Sequence, residues 1–138
     1  MLGLREPHIY GHQSLDDMET LVRGKAAALG VDVDFLQSNH EGTLIDRLQE
    51  ARGKNLGVVL NPGGLTHTSV ALRDAIKAAE LPVVEIHVTN LHTREPFRHV
   101  SYISGIAEAV IVGAGILGYG LAVEILAQRF GPTSETAR

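Results

Sequence analysis

Three polar side chains of different chemistry follow directly after an apolar run near the middle of the chain. Residues 57–60, Gly-Val-Val-Leu, are followed by Asn-Pro-Gly-Gly at 61–64, and a helical pattern begins near Thr66. This order predicts a strand, a tight turn and a helix. Ligands of parallel α/β sheets bind beyond the carboxyl ends of the strands. We therefore expect Asn61, Thr66 and His67 to lie at a ligand site, because core packing does not require an amide, a hydroxyl and an imidazole together.

A carboxylate and an imidazole share one face of a second predicted strand. His87 lies near the end of the apolar run 83–88, and Glu85 precedes it by two residues. Residues two apart on a strand point to the same side. A carboxylate beside an imidazole fixes its tautomer, which is a common arrangement for a general acid or base. The spacing alone fits a buried histidine with a purely structural role equally well.

Three arginines and a tyrosine decorate segments without periodicity. Arg5 and Tyr10 lie in the first segment, and Arg94 and Arg98 lie in the long polar segment after the strand that carries His87. A solvated surface accounts for these residues by itself. Alternatively, they form a mobile lid over a site. In such a lid the guanidinium groups favour the phenolate form of Tyr10, which is then a usable base.

Two further patterns suggest cofactor chemistry but lack the parts that it needs. Residues 113–118, Gly-Ala-Gly-Ile-Leu-Gly, match a dinucleotide-binding fingerprint, which also needs a following strand with an acid for the ribose. We interpret these glycines as allowing close helix–strand packing. His87, His92 and His99 make a metal site conceivable, but the sequence has no His-Glu-x-x-His motif and no carboxylate at a regular ligand spacing. We expect neither a nucleotide nor a metal ion.

The elements that position these residues alternate between strands and helices. Such alternation favours one parallel α/β sheet with right-handed crossovers and helices on both faces. All 138 residues are assigned to one domain, with 1–13 as an active-site lid loop and 131–138 as a frayed tail. The predicted strands are 31–36, 57–60, 83–88 and 109–112, and the predicted helices are 14–30, 44–53, 66–79 and 118–130.

Charge and composition narrow the partners and the location. A formal net charge of −4 and a pI near 5.9 give no basic face for nucleic acid or an anionic membrane. No apolar run approaches the roughly 18 residues that span a bilayer, and the first residues do not form a signal peptide. Because there is no Cys, disulfides are not expected, and we predict a cytoplasmic protein. Nine Arg against three Lys suit an acidic small-molecule ligand.

Together, the motifs of this chain resemble those of type II 3-dehydroquinate dehydratases. The resemblance extends over nearly the whole chain, with the motifs in the same order. They are Arg-Glu-Pro-His-Ile-Tyr-Gly at 5–11, Gln-Ser-Asn-His-Glu-Gly at 37–42, Asn-Pro-Gly-Gly-Leu-Thr-His-Thr-Ser-Val-Ala-Leu-Arg-Asp at 61–74, Glu-Ile-His at 85–87, Arg-Glu-Pro-Phe-Arg at 94–98 and Gly-Ile-Leu-Gly-Tyr at 115–119.

This resemblance implies a fold, a reaction and an assembly. The fold would be flavodoxin-like, and the assembly a homododecamer built as a tetramer of trimers. No metal or organic cofactor would be used. The reaction would remove water from 3-dehydroquinate to give 3-dehydroshikimate, in the shikimate route to aromatic amino acids or in quinate breakdown.

The resemblance also implies roles for individual residues. Tyr10 would be the base, with Arg5 and Arg94 beside it, and His87, oriented by Glu85, would be the acid. The remaining roles concern substrate binding. They fall to Asn61 and the backbone amides of Val88 and Thr89 for the carboxylate, to His67 and Arg98 for ring hydroxyls, and to Asp74 for the site of a neighbouring subunit.

Two departures from the family pattern bear on activity. Thr89 stands where the family commonly has Ser, and little effect is expected because the backbone donor is retained. The family's first, central strand and its Asn-Gly-Pro-Asn-Leu-Asn run would precede Leu2, so this strand is expected to be missing from the chain. If the polypeptide begins at Met1, we expect a damaged sheet and little or no activity. The alternatives are then an inactive relative that keeps the oligomeric scaffold, or a non-catalytic flavodoxin-like binding module.

Overall fold

Helices and parallel strands alternate along the part of the chain that the computed structural model describes, residues 15–38 and 40–131. The helices are α1 (Leu15–Leu29), α2 (Glu41–Ala51), α3 (Val70–Ala79) and α4 (Leu117–Phe130), and the strands are β1 (Val58–Leu60), β2 (Val83–His87) and β3 (Ala109–Val112). Short 3-10 helices occupy Gly63–His67, Leu91–Thr93, Pro96–His99 and Ser104–Ile106. None of the described helices is long and apolar enough to cross a membrane. The predicted lid loop 1–13 and residues 132–138 of the predicted tail lie outside the described residues.

Strand β2 lies at the centre of the sheet, between β1 and β3. All its pairings are parallel, and His87 is in register with Val112. Every residue of β2 is buried, because helices cover both faces of the sheet. Successive strand residues alternate between the two faces, so Val84 and Ile86 join one core cluster and Val83 joins the other. The predicted α/β fold, a parallel sheet with helices on both faces, is confirmed.

Helices α1 and α4 cover one face of the sheet. Helix α1 has apolar residues at helical spacing, of which Met18, Val22 and Ala26 are buried. Its last residue is followed by Gly30, whose φ of 74° is a left-handed conformation that glycine adopts without strain. There the backbone N–H of Val31 donates to the carbonyl of Ala26 at 3.0 Å. Helix α4 adds Tyr119, Ala122, Val123 and Leu126 to the same cluster.

Helices α2 and α3 cover the opposite face. Ser69 caps α3, since its side-chain oxygen accepts a hydrogen bond from the backbone N–H of Leu72 at 2.8 Å. The predicted helix start near Thr66 is wrong, because Gly63–His67 form a 3-10 helix and α3 begins after its cap, at Val70. The buried residues of this face are Leu48, Leu60, Leu72, Ala75, Ile76, Ala79, Val83 and Ile103.

The predicted first strand, residues 31–36, is not a strand. It has no regular secondary structure. A strand forms only through hydrogen bonds to a partner, and no residue of the described part of the chain pairs with it. Its apolar residues Val31, Val33 and Phe35 nevertheless pack against the cluster of α1 and α4. A cavity of about 1140 Å³ is lined by residues of this segment and of β1.

Gly118 lets α4 approach the sheet closely. A Cβ at this position would lie 3.2 Å from the Cγ2 atom of Ile111 and 3.8 Å from that of Ile86. Both isoleucines belong to strands, so a larger residue would push the helix away from β2 and β3. The interpretation of the glycine pattern at 113–118 as a packing feature is confirmed at this position.

We predict fast amide hydrogen exchange in residues 32–36 and slow exchange in β2. The β2 backbone is buried and paired on both sides, whereas residues 32–36 have no strand partner in the described chain. Exchange protection follows such differences in burial and pairing. Hydrogen–deuterium exchange followed by mass spectrometry measures both peptides in one experiment, with α2 as an internal reference. Protection of residues 32–36 equal to that of β2 would contradict this prediction.

Candidate active site

Glu85 and His87 lie side by side at the carboxyl end of β2. Both point to the face covered by α2 and α3, because they share the parity of Val83. Their side chains are only 1% and 4% exposed, and Nε2 of His87 is hydrogen-bonded to Oε2 of Glu85. The structure thus brings the carboxylate and the imidazole together, as their spacing predicts. This contact occupies Nε2 and leaves Nδ1 as the ring nitrogen for another group.

Two serines complete the hydrogen bonding of the Glu85 carboxylate. Ser104 Oγ donates to Oε1 at 2.8 Å, and Ser101 Oγ lies 3.2 Å from each carboxylate oxygen. Burial by itself raises the pKa of Glu85. Hydrogen bonds from His87 and Ser104, the charge of His87 and the hydrogen bond from Ser101 outweigh burial, and the pKa lies below its ordinary value of 4.5. Glu85 is therefore an ionised carboxylate at neutral pH.

The segment that carries both serines is folded back against the sheet. The backbone N–H of Tyr102 donates to the carbonyl of Thr66 at 2.9 Å, and the side chain of Ile103 is fully buried. Ser101 Oγ also accepts hydrogen bonds from the backbone N–H groups of Ile103 and Ser104, both at 3.0 Å. These contacts hold the two hydroxyls over the end of β2.

His67 stacks beside His87. Their ring centroids are 6.5 Å apart with an interplanar angle of 22°. Nδ1 of His67 lies 2.6 Å from the carbonyl oxygen of Val100, and since a carbonyl can only accept, Nδ1 carries the proton. In the neutral ring Nε2 is then a hydrogen-bond acceptor. Phe97 packs edge-on against the His67 ring at 6.0 Å.

Asn61 begins the turn after β1, and both the oxygen and the nitrogen of its side-chain amide are hydrogen-bonded. Its Oδ1 accepts a hydrogen bond from the backbone N–H of Gly63 at 3.1 Å, and its Nδ2 donates to the hydroxyl of Tyr119 at 2.8 Å. Tyr119 belongs to α4, so the helix on one face of the sheet orients a residue at its edge.

Arg94 and Arg98 approach the same region from the polar segment after β2. Both are partly buried. Arg98 Nε donates to Glu95 at 2.6 Å, and its guanidinium lies 4.8 Å from the centroid of the Phe97 ring. The carbonyl oxygen of Arg94 lies 3.1 Å from Nε2 of His99, which makes His99 the donor. Both arginines of this short segment line the same cavity as His87.

One cavity collects most of the predicted site residues. It is the cavity of about 1140 Å³ next to β1, and it is lined by Asn61, His67, His87, Val88, Thr89, Arg94 and Arg98 among others. Glu85 lies behind His87, away from this cavity. Asp74 is exposed on α3 and does not line it. Arg5 and Tyr10 lie outside the described residues.

The chemistry that this arrangement offers is proton transfer beside a bound anion. The Glu85 carboxylate is hydrogen-bonded to the His87 ring and orients it, and the two arginines suit an anionic ligand. The His92 and His99 rings lie 5.6 Å apart. Within residues 15–38 and 40–131, no group of three or more His, Cys, Asp or Glu residues is arranged to hold a metal ion.

The sequence analysis did not predict the contacts of Ser101 and Ser104 with Glu85, or that of Tyr119 with Asn61. For the serines, one feature of the sequence could have indicated the contact. A carboxylate in an apolar strand needs several hydrogen-bond donors once it is buried, so hydroxyls in the following polar segment were candidates. No signal in the sequence points from Asn61 to Tyr119, because the two residues are 58 positions apart.

Comparisons with known proteins agree on one family. The sequence profile described as "Dehydroquinase class II" matches residues 1–127. The protein named "3-dehydroquinate dehydratase 1" of Corynebacterium efficiens is 67% identical over 127 residues, which cover 92% of this chain and 84% of that protein. The "Catabolic 3-dehydroquinase" of Emericella nidulans is 51% identical over 137 residues, covering 99% of this chain and 90% of that protein.

Two solved structures are similar over most of the chain. The type II dehydroquinase from Propionibacterium acnes has a TM-score of 0.87 at 35% identity, covering 92% of this chain and 88% of that chain. The type II dehydroquinase from Butyrivibrio crossotus has a TM-score of 0.86 at 37% identity, covering 91% and 88%. The fold and the sequence therefore point to the same family.

We predict that Glu85 stabilises the folded protein at neutral pH and that this contribution is lost in acid. Its folded pKa lies below 4.5. Its contribution is therefore complete above the unfolded pKa and disappears as the pH falls through the folded value. Glu85→Gln should lower the free energy of unfolding by about 2 kcal/mol near neutral pH. Urea unfolding of the wild type and of Glu85→Gln should be measured from neutral pH into the acid range. The difference between their free energies of unfolding should become smaller below about pH 4.5.

Glu95→Gln is the matched control for this measurement. The pKa of Glu95 is also lowered, first by a hydrogen bond to its own backbone and then by Arg98. Its side chain is 54% exposed, and exposed ion pairs contribute little to stability. This variant should unfold like the wild type at every pH. A Glu85→Gln difference that stays constant with pH would show that the charge of the carboxylate is not what stabilises the fold.

Proposed function

Since the chain belongs to the class II dehydroquinase family, we propose that it is a 3-dehydroquinate dehydratase, which eliminates water from 3-dehydroquinate to give 3-dehydroshikimate. The observation that carries this proposal is the buried Glu85–His87 pair, whose histidine lines the same cavity as Arg94 and Arg98. The pair supplies an acid, and the arginines suit a carboxylate substrate. The reaction belongs to the shikimate route or to quinate breakdown, in the cytoplasm.

The first step of the proposed mechanism removes a proton next to the ketone. Tyr10, as a phenolate stabilised by Arg5 and Arg94, takes the proton from C2 of the substrate. The electron pair of the C–H bond becomes an enolate. A proton next to a carbonyl is acidic enough for this base when fixed donors stabilise the developing oxyanion.

The second step expels the C1 hydroxyl. The enolate re-forms the ketone and pushes its electron pair into the new C1–C2 double bond, while His87 gives its proton to the departing oxygen. Water leaves, and the imidazole becomes neutral. Nδ1 is the nitrogen suited to this transfer, because Nε2 is bonded to Glu85. The Glu85 carboxylate stabilises the imidazolium before the transfer and keeps the ring oriented.

Substrate binding is assigned to groups that line the cavity. Asn61 and the backbone amides of Val88 and Thr89 hold the carboxylate, and His67 and Arg98 hold ring hydroxyls. His67 suits this role because its Nδ1 donates to the protein backbone and its Nε2 can accept from a hydroxyl. No metal ion or organic cofactor takes part in these steps.

The proposed assembly is a homododecamer, a tetramer of trimers in which Asp74 reaches the site of a neighbouring subunit. Asp74 is exposed, and so are the apolar side chains of Val70, Val100 and Tyr102. Arg73 donates to the carbonyl of Tyr102 at 2.7 Å, so this segment lies against the first turns of α3. An exposed apolar patch of this kind suits a subunit contact.

We predict turnover of 3-dehydroquinate, with strong and separate effects of the base and the acid. The absorbance of the enone product measures the rate directly. Tyr10→Phe and His87→Gln should each lower kcat by about 10²- to 10⁴-fold, the usual contribution of a positioned acid or base. Lys77→Gln, on the exposed side of α3, is the control and should keep the wild-type rate. A Tyr10→Phe variant with wild-type kcat would rule out the assigned base.

We predict that the chain assembles through the surface around Asp74. Size-exclusion chromatography with light scattering should give the mass of a dodecamer of 14.8 kDa chains. Val70→Glu places a charge in the exposed apolar patch and should shift the protein to smaller species, because burying an unpaired charge is strongly unfavourable. Thr43→Glu, on exposed α2, should not. Equal masses for Val70→Glu and the wild type would exclude this surface as a subunit contact.

A further inference from the structure

The Glu85 carboxylate is fixed by two hydroxyls to which the mechanism above gives no role. We propose that Ser104 and Ser101 are positioning residues of the dehydratase: they hold the Glu85 carboxylate in its orientation, and through it they fix the orientation of His87. This inference rests on the proposed function, because it assigns His87 as the acid. Neither serine contacts the substrate in this proposal.

The geometry separates the two ends of the carboxylate. Oε2 of Glu85 bonds Nε2 of His87, whereas Oε1 accepts from Ser104 Oγ at 2.8 Å. Ser101 Oγ lies 3.2 Å from both oxygens. With a donor on each oxygen, rotation of the carboxyl group about its last bond breaks at least one charge-assisted hydrogen bond. Glu85 itself is fully buried, so a lost donor removes a hydrogen bond from a carboxylate that has little access to solvent.

The other side chains around Glu85 do not perform the positioning role proposed for Ser101 and Ser104. A small cavity of about 160 Å³ beside the carboxylate is lined by Arg98, His92 and His99, and from β3 by Val110 and Val112, among others. Arg98 is paired with Glu95, and His99 donates to the backbone of Arg94. Among the described residues, His87 is the only basic side chain within ion-pair distance of the Glu85 carboxylate.

Ser104 gives the cleaner test of the two. Ser101 Oγ also accepts from the backbone N–H groups of Ile103 and Ser104, so its removal disturbs the segment itself. Within residues 15–38 and 40–131, the only side-chain hydrogen bond of the Ser104 hydroxyl is the one to the Glu85 carboxylate. Ser104→Ala therefore removes one donor from Oε1 and leaves the segment's own hydrogen bonds in place.

The experiment compares Ser104→Ala, Ser104→Thr and Thr43→Ala in the full chain. Ser104→Ala should lower kcat for 3-dehydroquinate about tenfold, with KM changed less than about twofold, as expected when one hydrogen bond to a charged group is lost away from the substrate. Ser104→Thr keeps a hydroxyl and should restore most of kcat. Thr43→Ala removes an exposed hydroxyl on α2 and should behave as the wild type.

A second readout does not depend on turnover. The ¹³C NMR signal of the Glu85 carboxyl carbon, assigned with Glu85→Gln, reports its protonation as the pH is lowered. In Ser104→Ala the carboxyl should protonate at a higher pH than in the wild type, because a donor that favours the anion is gone. Ser104→Thr should titrate as the wild type.

The two readouts distinguish the possible failures. If Ser104→Ala matches the wild type in kcat and in the Glu85 titration, the positioning role is refuted. If the titration shifts but no variant dehydrates 3-dehydroquinate, the control of Glu85 by Ser104 stands and the proposed function fails. Should Ser104→Ala not fold, Ser104→Cys provides a similar shape with a weaker donor. A wild-type kcat and titration in Ser104→Cys would equally overturn the role.

Discussion

The burial of one carboxylate constrains the arrangement of this whole site. Glu85 is fully buried in the central strand, where an ion without partners would be strongly destabilising. It is satisfied by His87 on its own strand and by two hydroxyls from a segment that must fold back over the sheet. That segment is held against the residues that follow β1, because the backbone N–H of Tyr102 donates a hydrogen bond to the carbonyl of Thr66.

The parallel sheet explains why these groups meet at one edge. All three strands end on the same side, so the turn after β1 and the long segment after β2 emerge together. The first carries Asn61 and His67, and the second carries Arg94 and Arg98. Since β2 is buried on both faces, the only place where its polar residues can reach a ligand is its carboxyl end. The topology therefore separates a buried centre, which carries Glu85 and His87, from the segments that line the rest of the cavity.

The parts of this structure that depend on local pattern were predictable from the sequence. Same-side placement of Glu85 and His87 follows from strand geometry alone, and helix periodicity located α1 through α4 to within a few residues. Non-local contacts were not predictable. Ser104 lies 19 positions from Glu85, and nothing local reveals which hydroxyl meets a buried carboxylate. Residues 31–36 have the composition of a strand, yet strand formation requires a partner that the segment itself cannot supply.

Within the described residues β1 pairs only with β2, so its other edge has no strand partner there, and this has a consequence for how the protein behaves in concentrated solution. A sheet edge with apolar walls offers its backbone groups to any extended segment, whether from the same polypeptide or from another. Pairing within one polypeptide is a first-order process and independent of concentration, whereas pairing between two polypeptides is second-order. Concentration therefore decides which of these two kinds of pairing the β1 edge favours. The protein concentration used in purification and storage therefore affects which of these two pairings forms at the edge of β1.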